Sequence, residues 1–314
     1  MVAPSHACAD QVAALFHTLV PPEVWRAEWM LLGNDGTEEE RTCALRALLD
    51  FHADVVTPLS ELFAFALPSC KALNTITQLA PHGVVEVGAG NGLWAEMLRR
   101  SGIKVVAIDD GVRHDGSQPQ PFGPVHCGGP EIIASAGRDP ALLLCWPSLE
   151  LELPPFHSNG ETDPGPNLTA LNALRMFEGD ILFVVGEWSG RTGLLSGLSW
   201  RTSACGQAGG SQFQRAIATG WVFVENVRVP RWPGFADQLY VFRRRSDILE
   251  GSSARDMSSN STPIRSLTSD LVDAHADLFP RPTLQDRLRT LSLRPALLKP
   301  AVLTAVIAIQ DITY

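Results

Sequence analysis

No C-x-x-C pair occurs among the six cysteines, Cys8, Cys43, Cys70, Cys127, Cys145 and Cys205. Scattered in this way they suggest neither a zinc site nor a disulfide framework, and several read as small buried hydrophobes of a protein kept reduced. Long basic runs are also missing: the one compact cluster, Arg243, Arg244 and Arg245, follows an apolar strand and reads as its solvated end. With a formal net charge of −9 the chain is not expected to favour nucleic acid or an anionic membrane. The opening MVAPSHACADQVAALF has no basic leader ahead of an apolar core, so no secretory signal is expected. The longest late apolar run, AVLTAVIAI at 301–309, is far too short to span a bilayer. A cytoplasmic, reducing location is the expectation that follows. What the chain does have is mass for a core. Its 314 residues, 45% hydrophobic, suit one large domain with additions or two small ones.

The organising stretch is residues 83–110, GVVEVGAGNGLWAEMLRRSGIKVVAIDD. Val84, Val85 and Val87, with Glu86 among them, form a short apolar run that ends in alternating glycines, as a buried parallel strand does on entering a tight loop. Leu93, Trp94, Met97 and Leu98 then recur at helical spacing, with Glu96, Arg99 and Arg100 on the other side and Gly102 placed to cap the end. A second strand, Ile103 to Ile108, closes on Asp109 and Asp110. The whole predicts a βαβ unit with a ligand site at the strand tips. Glycine lets the chain turn sharply and a ligand approach the backbone, while the helix aims its free N–H groups into the same space. Asp109 stands at the tip of the neighbouring strand, where a carboxylate can accept both hydroxyls of a ribose. A nucleoside ligand is therefore expected.

A dinucleotide fingerprint wants its third glycine, or an alanine, three residues after the second, and counting from Gly90 that position is Leu93, which is neither. The pattern present is E-x-G-x-G-x-G, running from Glu86 through Gly88, Gly90 and Gly92. It resembles motif I of the class I methyltransferases that use S-adenosylmethionine. The resemblance implies a donor site in which Glu86 and the loop of Gly88, Ala89, Gly90 and Gly92 hold the methionine part. It also implies that Asp109, followed by Asp110, holds the ribose and that the backbone around His126, Cys127 and Gly128 flanks the adenine. The usual acidic residue of that third-strand segment is missing here.

Further along, Ala141 to Trp146 is an apolar run stopped by Pro147, the mark of a central strand with a functional tip or a turn. In the methyltransferase pattern amine-modifying members carry Asp or Asn, two prolines and an aromatic residue at this place, whereas Cys145, Trp146, Pro147 and Ser148 stand here. The side-chain oxygen that would hold a target amine is therefore absent, which counts against an amino acceptor. A fifth strand, Ile181 to Val185, leads to Glu187, which reads either as a general base or as a side chain bonded to the neighbouring loop. Cys145, Trp146, Pro147 and Glu187 are the candidates beside the acceptor. Two last strands, Trp221 to Val229 and Gln238 to Arg243, are joined by PRWPGFAD, a link short enough only for an antiparallel return. A mostly parallel seven-stranded sheet closed by such a hairpin is the Rossmann-like arrangement that the resemblance implies. Segments VVEVGAGNGLWAEMLRRSGIKVVAIDD, CGGPE, LLLCWPS, GDILFVVGE and VPRWPGFADQLYVFRR are similar to a group of methyltransferase-like proteins whose acceptor is unassigned.

The flanks divide the chain into residues 1–80, 81–245, 246–270 and 271–314. The first is helical: Thr37 with Glu40 forms a capping box, Pro58 is expected to interrupt the helix behind it, and a further helix runs from Ser69 to Leu79. Trp25 and Trp29, four apart, suit the core better than an acceptor pocket. His114 and His157 fall in proline-rich loops. Residues 246–270 are rich in serine and poor in large apolar groups, which predicts a linker, and 271–314 is a tail with Leu284, Leu288 and Leu291 at helical spacing. The function expected is methyl transfer from S-adenosylmethionine, without a metal, to an acceptor that is a small molecule or a protein. The rival readings are a methyltransferase-like scaffold that binds without catalysis and, further off, an NAD-dependent oxidoreductase.

Overall fold

The structure, a computed structural model, describes residues 17–33, 35–111, 121–147, 169–188 and 209–245, together with Ala9 and Ala14. The readings on His114, on the stretch 148–167 with His157, on the linker 246–270 and on the tail 271–314 lie outside the described residues.

Helices α1 (Pro22–Gly33), α2 (Glu38–Phe51), α3 (Thr57–Leu62) and α4 (Cys70–Leu79) precede β1 (Val84–Val87). Next come α5 (Leu93–Arg100), β2 (Val105–Asp109), β3 (His126–Cys127) and a 3-10 turn over Pro130–Ser135. The order continues with β4 (Ala141–Cys145), α6 (Thr169–Met176), β5 (Ile181–Gly186), α7 (Ser211–Gly220), β6 (Trp221–Arg228) and β7 (Gln238–Arg244). The strands make one sheet in the order β3-β2-β1-β4-β5-β7-β6, parallel except where β7 runs against both β5 and β6.

Alternation along the strands divides the core. Val84, Val105, Leu143, Phe183 and Leu239 turn to one face, where α1 to α5 supply Val24, Leu48, Leu59, Leu73 and Trp94. Val85, Ile108, Leu142, Val184 and Tyr240 turn to the other, under Leu174 of α6 and Phe213 of α7. The central strands are buried on both faces, which is why they read as unbroken apolar runs and not as alternating ones.

Several local expectations are corrected. Pro58 does not break the chain into two helices. The backbone widens into a π-helical turn over His52–Val56 and continues as α3 with the proline in its first turn, where a missing N–H is tolerated. Trp29 is not core: it is 72% exposed, because the buried stripe of α1 is Val24, Ala27 and Glu28 and the tryptophan lies off it. Trp25 is half-buried, stacked on His17 and beneath the guanidinium of Arg231. Arg244 is not a solvated strand end. Its guanidinium lies 4.4 Å from the Trp221 ring centroid and donates to the carbonyls of Phe177 and Gly179. Glu96, placed on the outer side of α5 by periodicity, is buried and paired with Arg100 at 3.0 Å. Cys43 and Cys127 are exposed thiols rather than buried hydrophobes.

Candidate functional site

β1 ends at Val87, and the next three residues swing the chain across the carboxyl edge of the sheet. The amides of Gly88 and Ala89 both donate to the Ile108 carbonyl, at 2.9 and 3.1 Å, which pins the loop beside β2. Gly88 and Gly90 have φ of 74° and 54°, a conformation that side chains resist, and among the described residues a Cβ at either would have nothing within 4 Å, so these leave open space directly over the loop. Gly92 serves a different end: a Cβ there would come to 2.7 Å from Val125 Cγ2, so this glycine seats the loop against the entry to β3.

The Asp109 carboxylate faces the same loop. Its Oδ2 accepts from the Gly90 amide at 2.7 Å and its Oδ1 from the Gly111 amide at 2.8 Å. Each oxygen keeps a lone pair for a further donor. Asp110 is exposed beside it, and the tip of β3 is joined on by a Gly128 amide that donates to the Asp109 carbonyl at 3.2 Å, with Cys127 in register with Asp109. The structure thus brings Gly88, Ala89, Gly90, Asp109, Asp110, His126 and Cys127 to one edge of β1, β2 and β3.

Glu86 lies beneath this edge, 1% exposed, on the face covered by α5. Burial pushes its carboxyl up to about 8, against the pull of Arg99 and of the Ala95 amide. Its Oε2 meets no hydrogen-bond donor among the described residues. A buried, unpaired carboxylate oxygen is costly and is the kind of atom a polar ligand relieves.

On the neighbouring strands the same sheet edge carries Cys145, Trp146, Pro147 and Glu187. The Trp146 amide donates to the Val185 carbonyl at 2.8 Å, carrying the β4–β5 pairing past the end of the strand. Trp146 holds φ at 49°, the left-handed region that a bulky residue enters only under constraint. Its indole reaches across β5 and donates to Asp237 Oδ1 at 3.0 Å. The ring stacks on Phe65 at 5.7 Å and meets Phe235 edge-on at 4.9 Å. Glu187 is buried at the tip of β5, and its charge helps push the Asp237 carboxyl up to about 8, although burial is the larger cause. Burial likewise pushes the Cys145 thiol well up, with Glu86 and Asp237 adding to it, which leaves a neutral thiol and a poor nucleophile.

Asp237 is the site residue that sequence reasoning missed. It is 3% exposed and its Oδ2 has no donor among the described residues. Its one visible signal was a carboxylate immediately before the first residue of the antiparallel strand that starts at the carboxyl edge.

No protein family and no curated protein matches the sequence. Solved structures similar to it include a magnesium protoporphyrin IX methyltransferase from Synechocystis PCC 6803 with bound SAH. That likeness has 9% identity, a TM-score of 0.35, and covers 69% of this chain and 93% of that one. Another is the N-methyltransferase NodS from Bradyrhizobium japonicum WM9 in complex with S-adenosyl-L-homocysteine, at 14% identity and TM-score 0.36, over 64% of this chain and 97% of that one. A third is a mitomycin 7-O-methyltransferase, at 16% identity and TM-score 0.29, over 77% of this chain and 69% of that one. At these scores the fold is assigned on the strand order and not on the likeness. Five parallel strands in the order β3-β2-β1-β4-β5, closed by an antiparallel β7-β6 pair, make a seven-stranded sheet of the Rossmann-like class I methyltransferase fold.

Proposed function

We propose that the protein binds S-adenosylmethionine over the tips of β1 and β2 and directs its methyl group to an acceptor held over β4 and β5. The observation that carries this reading is the pairing of the Gly90 amide with Asp109 beneath open space at Gly88 and Gly90. That cradle suits an adenosyl compound. Asp109 has oxygen lone pairs left for ribose hydroxyls, and Glu86 has an unpaired Oε2 for the ammonium of the methionine part. The bound compound would supply a methyl carbon already activated by its sulfonium sulfur. The chain's own share is then to hold donor and acceptor in line and to exclude water. Trp146 and Phe65 offer the apolar cover that the second task requires.

The test is isothermal titration of the full chain with S-adenosylhomocysteine and with NADH. Binding of the first and not the second is the expected result, and the reverse would return the site to the dinucleotide reading. The unusual set Cys145, Trp146, Pro147 at the β4 tip favours one second reading, a scaffold that holds the ligand without turnover. Donor binding with no methylated product from any acceptor would support it.

A further inference from the structure

The β4 tip lacks the side-chain oxygen that a target hydrogen would need, yet an unpaired carboxylate is buried beside it. We propose that Asp237 takes over this place from the start of β7, its Oδ2 receiving the N–H or O–H hydrogen of an acceptor whose apolar body lies on Phe65, Trp146 and Phe235. This rests on the donor site proposed above.

The placement follows from register. Cys145 pairs with Val185 and Val185 with Leu239, so the residue two before Leu239 stands just past the tip of β5, on the same sheet face as Leu239. Asp237 therefore faces the same way as Cys145 and, further along, Glu86. Strands lie roughly 4.8 Å apart, so Asp237 is about 14 Å across the sheet from β1, a span that leaves room for an acceptor between it and the donor loop. Trp146 fixes the carboxylate at one oxygen, and the other has no donor among the described residues. Three aromatic rings gather around that point, and Phe65 is 54% exposed. Such a site fits a hydroxyl or an amine on a ring-shaped apolar body.

In the transfer, the acceptor's lone pair forms the bond to the methyl carbon as the carbon–sulfur bond breaks and its electron pair returns to sulfur. The hydrogen leaves as a proton to Oδ2 of Asp237 in its ionised form, the form that takes over as pH rises towards 8. The charged and titratable groups that face Asp237 are Glu187 past β5, Arg231 in the loop before β7 and the Cys145 thiol of β4. Arg231 is itself held by Glu28.

The experiment is a ligand-observed NMR titration of the full chain with phenol, aniline and toluene, each with and without saturating S-adenosylhomocysteine. Phenol or aniline should bind at least tenfold more tightly than toluene, and the stronger of the two decides between a hydroxyl and an amine acceptor. Asp237→Asn should abolish that preference while S-adenosylhomocysteine affinity, measured separately, stays at the wild-type value. Should Asp237→Asn not fold, Trp146→Phe, which frees Oδ1, should reduce the preference severalfold. Equal binding of the three probes, no binding of any, or a preference that survives in the variant would overturn the assignment. Loss of S-adenosylhomocysteine binding by the wild-type chain would strike the donor site instead, and the titrations without it still decide the role of Asp237.

Discussion

Glu86→Gln probes the buried carboxylate under the glycine loop through stability alone. In the unfolded chain the carboxyl titrates at 4.5, and in the fold burial raises it to about 8. Below 4.5 both states hold the proton and the fold has its full stability. Between the two values the folded state keeps a proton that the unfolded state has lost, so stability falls as pH rises and levels off above about 8. At about 1.4 kcal/mol per unit, the interval sets a ceiling of about 5 kcal/mol. Relaxation around the buried group brings the realistic loss nearer to 2 or 3 kcal/mol, roughly half that ceiling. Asp237, raised by burial from 3.8 to about 8, slopes the same way. Urea unfolding at pH 5, 6.5 and 8 should therefore show a wild-type chain that weakens towards alkaline pH. Glu86→Gln should remove roughly half of that slope, leaving the share of Asp237. Parallel pH profiles for wild type and variant would show that Glu86 is ionised in the fold, and the account of its unpaired oxygen would fail.

If the ammonium of a bound methionine part lies against Glu86, it draws that carboxyl back into its ionised form, so binding S-adenosylhomocysteine at pH 7 should release a proton. Titration in two buffers of different ionisation enthalpy reads this, and Glu86→Gln should release none. Asp109→Ala removes the partner of the Gly90 and Gly111 amides and should weaken S-adenosylhomocysteine by roughly 1.5 to 3 kcal/mol, or about 10- to 150-fold, by calorimetry; wild-type affinity would place the pocket elsewhere. Gly90→Val fills the open space over the loop and should abolish that binding, while the left-handed φ costs only about 1 to 2 kcal/mol of stability by thermal unfolding. Arg244→Met deletes the donors to Phe177 and Gly179 and the cation over Trp221, and should destabilise the fold by about 2 kcal/mol in urea without changing donor affinity.

The glycine-loop half of the candidate site was legible because it is local. Val84 to Asp109 holds a strand, a turn, a helix and a strand in unbroken order, and each has a short-range signature: an apolar run, glycines at positive φ, a helical stripe. The antiparallel close was legible for a similar reason, since eight residues between two strands permit no crossover. Signals that depend on what a remote segment contributes were not. Arg244 reads as a charge at a strand end until Trp221 and the end of α6 come up beside it. The tryptophan stripe of α1 reads as core until Glu28, which pairs with Arg231 203 residues away, takes the inward place.

Asp237 is the sharpest case, because the contact that gives it meaning joins residues 91 apart. In the sequence it is one acid in a loop rich in proline and glycine. In the fold, β7 must run antiparallel to β5, so its first residues are delivered to the same edge as the ends of the parallel strands. Any side chain placed there faces whatever the β4 tip holds. The hairpin that closes the sheet is thus also the device that brings a carboxylate to a strand tip that carries none of its own, and Trp146, holding that carboxylate from a strained backbone, ties the hairpin to the tip of β4.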